Sequence, residues 1–375
     1  MAKKAKLADI FPIDTFVKNP GLQLVARNIF KNLELNEFSN CRLVSKAWKQ
    51  FIDEDKYLAN VQFDLVLEVL WVYLKKERIA GHTPFHFACR QGSFRIVKLF
   101  LDHQTERNID VNARDKYGWT PIHSACKHNN FLVVKLLLTF GLDVTLRTNK
   151  DNNHILQMAA LNKDPKVIQT LMESKQLKKT DKNVTNCHGN TLLHFAAANK
   201  HSVKPFAYLI RNAKKFNLKI NQLDRFNRNF FHAACLTGGS KEIVLFIIQN
   251  SKKYSIDLNL QSIDGERPFH YACNKGKLEN VKILLNNSKK YKIDVSSLTN
   301  HGRDGQASAE RMGHTDIVNL IKDWKKKESK EMINQFQNEI LTRFQAMKDN
   351  DDPNARRQIA DNVISLMNKL KENIH

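Results

Sequence analysis

A seven-residue segment recurs along this chain at a nearly constant interval, and that recurrence limits the fold more than any other feature. Thr83-Pro-Phe-His-Phe-Ala-Cys89 returns as Thr120-Pro-Ile-His-Ser-Ala-Cys126. Weaker copies are His154-Ile-Leu-Gln-Met-Ala-Ala160, Thr191-Leu-Leu-His-Phe-Ala-Ala197, Asn229-Phe-Phe-His-Ala-Ala-Cys235 and Arg267-Pro-Phe-His-Tyr-Ala-Cys273, with a degenerate Asp304-Gly-Gln-Ala-Ser-Ala-Glu310. The starts fall at 83, 120, 154, 191, 229, 267 and 304, giving steps of 37, 34, 37, 38, 38 and 37. A unit this short cannot bury its own apolar surface, so neighbouring copies must stack into an elongated array.

Each copy carries helix-start chemistry. Thr can cap free backbone amides, and Pro in the first helical position loses no hydrogen bond. Two residues before each start stand Gly81, Gly118, Asn152, Gly189, Asn227, Gly265 and Gly302, the residue types that best tolerate the positive φ of a tight turn. A second apolar helix follows, as in Phe94-Arg-Ile-Val-Lys-Leu-Phe-Leu101, Phe131-Leu-Val-Val-Lys-Leu-Leu-Leu138 and Glu242-Ile-Val-Leu-Phe-Ile-Ile248.

The T-P-[FI]-H-x-A-C motif, the Gly before it and the I-V-x-L-[LF] helix resemble the ankyrin repeat, whose usual period is about 33 residues. The resemblance spans residues 62 to 324 and implies an all-α solenoid of helix-turn-helix units with β-turn fingers. Gln62 to Leu74, rich in Leu and Val, reads as the remnant of an earlier capping repeat. His86, His123, His194, His232 and His270 share one register and read as a structural ladder rather than as metal ligands. Cys89, Cys126, Cys235 and Cys273 stand where other copies have Ala160 and Ala197, and read as small core residues. Most steps exceed the usual period, and the excess is basic: Lys175, Lys178, Lys179 and Lys182; Lys214, Lys215 and Lys219; Lys252 and Lys253; Lys289, Lys290 and Lys292. Stacking predicts that these lysines line one edge, where they either keep the array soluble or follow a polyanion.

Ahead of the repeats, apolar residues at 22, 25, 29, 30 and 33 trace one face of a short helix, and those at 43, 44, 47, 48 and 51 trace another. So small a core usually depends on a partner or a neighbouring domain. Leu22, Ile29, Phe30 and Leu33, then Cys41-Arg-Leu-Val-Ser45 and Trp48, resemble an F-box, the helical motif that docks on the Skp1 adaptor of cullin-based ubiquitin ligases. The resemblance makes Leu22, Ile29, Phe30, Leu33, Leu43, Val44 and Trp48 the adaptor-binding residues. F-boxes usually open with Leu-Pro where this chain has Gly21-Leu22.

Beyond Trp324, apolar positions at Met332, Phe336, Ile340, Phe344 and Met347 and at Ile359, Val363, Leu366 and Leu370 predict two helices, broken by Asp349-Asn-Asp-Asp-Pro353. The pair reads as a hairpin that caps the last repeat or self-associates. The organisation read from the sequence is thus a tail over 1–18, the F-box-like module over 19–60, a degenerate capping repeat over 61–80, about seven repeats over 81–324 and the hairpin over 325–375.

No apolar run reaches the ~20 residues of a membrane span. Six cysteines without a C-x-x-C pair point to reduced thiols rather than disulfides or zinc. A cytosolic or nuclear protein with no membrane contact is therefore expected. Its 60 basic against 38 acidic residues give a net charge of +22, most of it within the repeats, which favours acidic partners. No phosphate loop, activated nucleophile or carboxylate pair is present, so no catalytic residue, cofactor or metal is expected.

Together the two resemblances imply a substrate-recognition subunit of a Skp1-cullin-F-box ligase. Its target would be held at the finger tips and first-helix faces, where Lys116, Tyr117 and Trp119, Arg225, Phe226 and Arg228, Glu266 and Arg303 stand out as anchor-type residues. A scaffold without ligase partners and a polyanion or nucleic-acid binder are the alternatives.

Overall fold

The computed structural model describes residues 81–105, 108–178, 180–349 and 352–374. The tail, the F-box-like module with the seven residues expected to bind an adaptor, the stretch over 61–80 read as a capping repeat, and Lys179 lie outside the described residues. Among the described residues all regular structure is helical, and the chain divides into two compact units, Met1–Arg225 and Phe226–His375.

In the first unit the repeats supply the pairs α1 (Pro84–Gln91) and α2 (Phe94–Asp102), α3 (Pro121–Lys127) and α4 (Phe131–Thr139), then α5 (Ile155–Ala160) and α6 (Lys166–Glu173). A short α7 (Lys175–Lys178) follows, then α8 (Leu192–Ala197) and α9 (Lys204–Arg211), with a short α10 (Ala213–Phe216). The inner helices α1, α3, α5 and α8 pack in sequence on one another, and the outer helices α2, α4 and α6 do the same. The second unit repeats the plan with α11 (Phe230–Thr237) and α12 (Lys241–Asn250), α13 (Pro268–Asn274) and α14 (Leu278–Tyr291), and α15 (Gly305–Arg311) and α16 (Thr315–Lys348), closed by α17 (Pro353–Ile374).

The local rules read from the motif operate as written. Thr83 is extended, its hydroxyl accepts from the His86 amide, and His86 Nδ1 accepts from the Thr83 amide, so cap and third helical residue satisfy each other. All seven residues two places before the starts have positive φ. Gly189 shows why: φ is +78°, and a Cβ there would lie 2.7 Å from the Arg225 amide nitrogen of the next finger. In the degenerate copy Gly305 replaces the usual Pro because a larger residue would collide with the Phe269 ring. Asp304 still caps that helix, accepting from the Ala307 amide at 2.8 Å.

Three ladders hold neighbouring copies together. Fingers pair through single backbone bonds: Asn149 donates to the Tyr117 carbonyl (2.8 Å), Cys187 to Asp151 (2.9 Å) and Arg225 to His188 (3.0 Å) in the first unit, and Ile263 to Phe226 (3.0 Å) in the second. From the inner helices, His86 Nε2 donates to the Trp119 carbonyl of the next finger at 2.9 Å and His270 Nε2 to that of Ser297 at 3.0 Å. Gln157, standing where other copies have His, donates to the Asn190 carbonyl at 2.7 Å. Finally Asn130, Asn162 and Asn199 send their side-chain amides back to Cys89 (2.8 Å), Cys126 (2.7 Å) and Ala160 (3.1 Å), satisfying carbonyls that end the preceding inner helix. The ladder histidines are buried, and burial lowers the pKa of His86, His123 and His270, which keeps them neutral. Cys89, Cys126, Cys235 and Cys273 are fully enclosed and their thiols are pushed up by that burial, as inert core residues should be.

The last element departs from the sequence-level reading. No break falls between residues 324 and 325: α16 serves as the outer helix of the final repeat through Ile317, Val318 and Ile321, then continues for several further turns. It packs on α14 and α15, and α17 folds back along it. Lys325 pairs with Asp304 (3.1 Å), while Lys289 meets Glu328 (3.0 Å) and Glu331 (2.8 Å), tying the extension to the repeat beneath.

Candidate functional site

Fingers are short turns that spend backbone bonds within the turn and on the next finger, and their outward side chains are what they offer a partner. In the first unit Asp115 fixes one such tip, its carboxylate accepting from the Tyr117 and Trp119 amides at 2.8 Å each. That places Tyr117 outward, 50% exposed, with the Lys116 ammonium 4.8 Å from its ring centre. Trp119 is half-buried, tilted against His123 at 6.2 Å, and Lys127 lies 4.7 Å above its ring. Lys116, Tyr117 and Trp119 therefore form one aromatic and cationic patch, with Lys127 from the inner helix as an added member. Arg225 is exposed at the end of this unit, and its guanidinium donates to the Cys187 carbonyl at 2.6 Å.

The second unit builds a comparable patch. Phe226 is 40% exposed, and the Arg228 guanidinium lies 4.7 Å from its ring and 5.8 Å from that of Tyr271. Tyr271 in turn meets His232 edge-on at 5.4 Å. Burial raises the Tyr271 pKa, keeping its hydroxyl a neutral donor. Glu266 is half-buried beside this group, where its charge acts on Tyr271. Ile263, 56% exposed, extends the apolar surface next to Phe226, to which its amide is bonded. Arg303 stands apart on the last finger, half-buried, its amide donating to the Thr299 hydroxyl at 3.3 Å.

Reading by residue type selected the finger residues and missed Lys127, Ile263 and Tyr271. For Tyr271 a signal existed: it fills the one free position, x, in T-P-[FI]-H-x-A-C, occupied elsewhere by Phe87, Ser124, Met158, Phe195 and Ala233.

The basic edge is more mixed than its sequence implies. Lys175, Lys178, Lys214, Lys215 and Lys219 are exposed in the first unit, and Lys252, Lys253, Lys289, Lys290 and Lys292 in the second. Lys215 pairs with Glu173 at 3.5 Å, and Lys289 is held by the two glutamates of α16, so local carboxylates match part of the charge. Among the described residues no helix is long and apolar enough to cross a membrane.

The family model described as ankyrin repeats (3 copies) matches residues 57–148, 155–262 and 232–331, and the F-box domain model matches residues 22–60. The ankyrin match thus begins before the described residues, at residue 57, overlapping the last residues of the F-box match and running through the stretch read as a degenerate repeat. No curated protein matches the chain. Among solved structures, the ankyrin repeat domain of Bcl-3, described as a unique member of the IkappaB protein family, is 21% identical, with a TM-score of 0.47, over 65% of this chain and 99% of that one.

Proposed function

Because the chain belongs to the ankyrin-repeat family and its repeats follow an F-box domain, we propose that it brings a target protein to a ubiquitin ligase built on a Skp1-like adaptor and a cullin. Protein interaction is the role of both modules, and neither is a catalytic type. The observation that carries the reading is the pairing of an F-box domain with a repeat array whose fingers expose aromatic side chains, Tyr117 and Phe226, beside cationic ones.

The mechanism is proximity. Holding a target lysine beside a charged conjugating enzyme raises its effective concentration and needs no reactive group in this chain. The test is co-purification of the full chain with Skp1 and a cullin, followed by ubiquitin transfer to proteins it captures. Capture of the same proteins with no adaptor or cullin present would make the chain a scaffold instead.

Target capture is assigned to Lys116, Tyr117, Trp119, Arg225, Phe226, Arg228, Glu266 and Arg303, with the buried Tyr271 ring backing Arg228. Replacing Tyr117 and Phe226 by Ala removes two exposed rings. Stability should move by no more than about 0.5 kcal/mol for each, whereas Phe230→Ala in the core should cost about 3–5 kcal/mol. The set of captured proteins, compared by quantitative mass spectrometry, should shrink for the double variant. Undiminished capture would place the target elsewhere, and a core-sized stability loss would make these rings packing residues.

A further inference from the structure

The third finger is built differently from its neighbours. The second, fourth, sixth and seventh fingers close with a bond across four residues, from Asp115 to Trp119, Asn186 to Asn190, Ser262 to Glu266 and Thr299 to Arg303, but the third closes from Thr148 to Asn153, across five. The added residue brings Asp151 opposite the next tip, where the Cys187 amide donates to the Asp151 carbonyl at 2.9 Å. One sulfur, one imidazole nitrogen and one carboxylate oxygen, from Cys187, His188 and Asp151, then lie within 4.8 Å of one another. Among the described residues this is the one grouping of three or more potential metal-ligating side chains so close together.

We propose that Asp151, Cys187 and His188 form a binding site for a thiophilic divalent cation, with zinc the best-suited ion. The donor set decides the class: thiolate and imidazole select zinc and its neighbours over calcium or magnesium, which require oxygen donors. Zinc bond lengths of ~2.0–2.3 Å and a tetrahedral angle put ligand atoms about 3.3–3.7 Å apart, so closure requires side-chain movement of about 1 Å. Cys187 is half-buried and His188 exposed, so rotation about their χ angles has room. The backbone under them is fixed: the His188 amide donates to Asn186 Oδ1 at 3.0 Å and its carbonyl accepts from the Arg225 amide at 3.0 Å. Arg225 also faces the site, its guanidinium on the Cys187 carbonyl. A divalent ion balances the thiolate and the carboxylate, and three protein ligands leave the fourth position to water or to a partner's side chain. The ion would add to the Cys187–Asp151 backbone bond and to the side-chain bonds from Asn186 to Asn153 and from Arg147 to the Thr185 carbonyl, which already join the third finger to the fourth.

Cobalt is the probe, because thiolate coordination gives it a charge-transfer absorption in the near ultraviolet. The full chain is used with Cys41→Ser, since the other cysteines besides Cys187 are buried. One equivalent of cobalt should produce that absorption, zinc should displace it, and zinc should raise the unfolding temperature. Cys187→Ser should abolish the absorption and the zinc stabilisation while leaving the metal-free unfolding temperature unchanged. Asp151→Asn and His188→Ala should each weaken cobalt by about tenfold or more. No absorption at saturating cobalt overturns the site, as does absorption that survives Cys187→Ser or does not respond to Asp151→Asn and His188→Ala.

Discussion

Replacing Leu43 and Trp48 together by Ala is expected to cut affinity for the Skp1 adaptor by about a thousandfold. The F-box resemblance implies that both face the adaptor or fill the module's core, and buried aromatic and aliphatic anchors commonly lose about 2 kcal/mol each on truncation. Two such losses amount to about 4 kcal/mol, which is about three decades in Kd. The repeats should be untouched, because their core lies among residues of α1 to α16. Binding is read by titration of purified Skp1 with wild type and variant, and ubiquitin transfer to captured protein should fall in parallel. A double variant that still binds within about threefold of wild type would overturn the assignment of Leu43 and Trp48, and a wild-type chain that does not bind Skp1 would remove the ligase reading, which depends on proximity through this module.

Acid should destabilise the first unit steeply, and the buried histidines are the cause. Desolvation lowers both His123 and His154 to about 4, helped at His123 by neighbouring His154 and at His154 by Arg147. The unfolded chain protonates these rings near pH 6.5, while the folded chain holds them neutral until about pH 4. The unfolded state therefore binds more protons throughout that window. The stability that rests on their neutral form is complete above about pH 6.5 and is lost as pH falls toward 4, at about 1.4 kcal/mol per pH unit for each ring. Below about pH 4 these two rings withdraw no more.

His123→Gln provides the check, because Gln157 already fills the same place in the third repeat. Its carbonyl accepts from the His154 amide at 2.7 Å, as His123 Nδ1 accepts from Thr120, and it cannot take up a proton. The variant's urea-unfolding free energy should fall with acid by one proton less than that of wild type across the window. Identical slopes would mean that His123 is not held neutral by the fold.

How far the sequence carried depended on whether a feature was local. Positive φ at Gly81 through Gly302, the Thr and Asp caps, and the small core Cys or Ala follow from two or three adjacent residues and are repeated, so each copy checks the others. The basic loops were legible as composition only. Whether Lys215 or Lys289 is free depended on Glu173, Glu328 and Glu331, which lie one helix or more away in sequence. Likewise the end of the repeats at Trp324 was drawn where the motif stops, but nothing in the helical chemistry of Lys325-Lys-Lys327 stops a helix, and α16 runs on.

By itself the sequence determined the period, the stacking and the helix starts, because a strict repeat allows only one arrangement in which every apolar face is covered. Tertiary structure decided which side chains meet across the period. Gln157 standing in for a ladder histidine, Asn130, Asn162 and Asn199 reaching back to the preceding helix, Arg228 between Phe226 and Tyr271, and Asp151 beside Cys187 and His188 all join residues about a repeat apart. Such a pairing depends on finger length to within one residue, and the extra residue in the third finger shows how a single insertion changes what faces what.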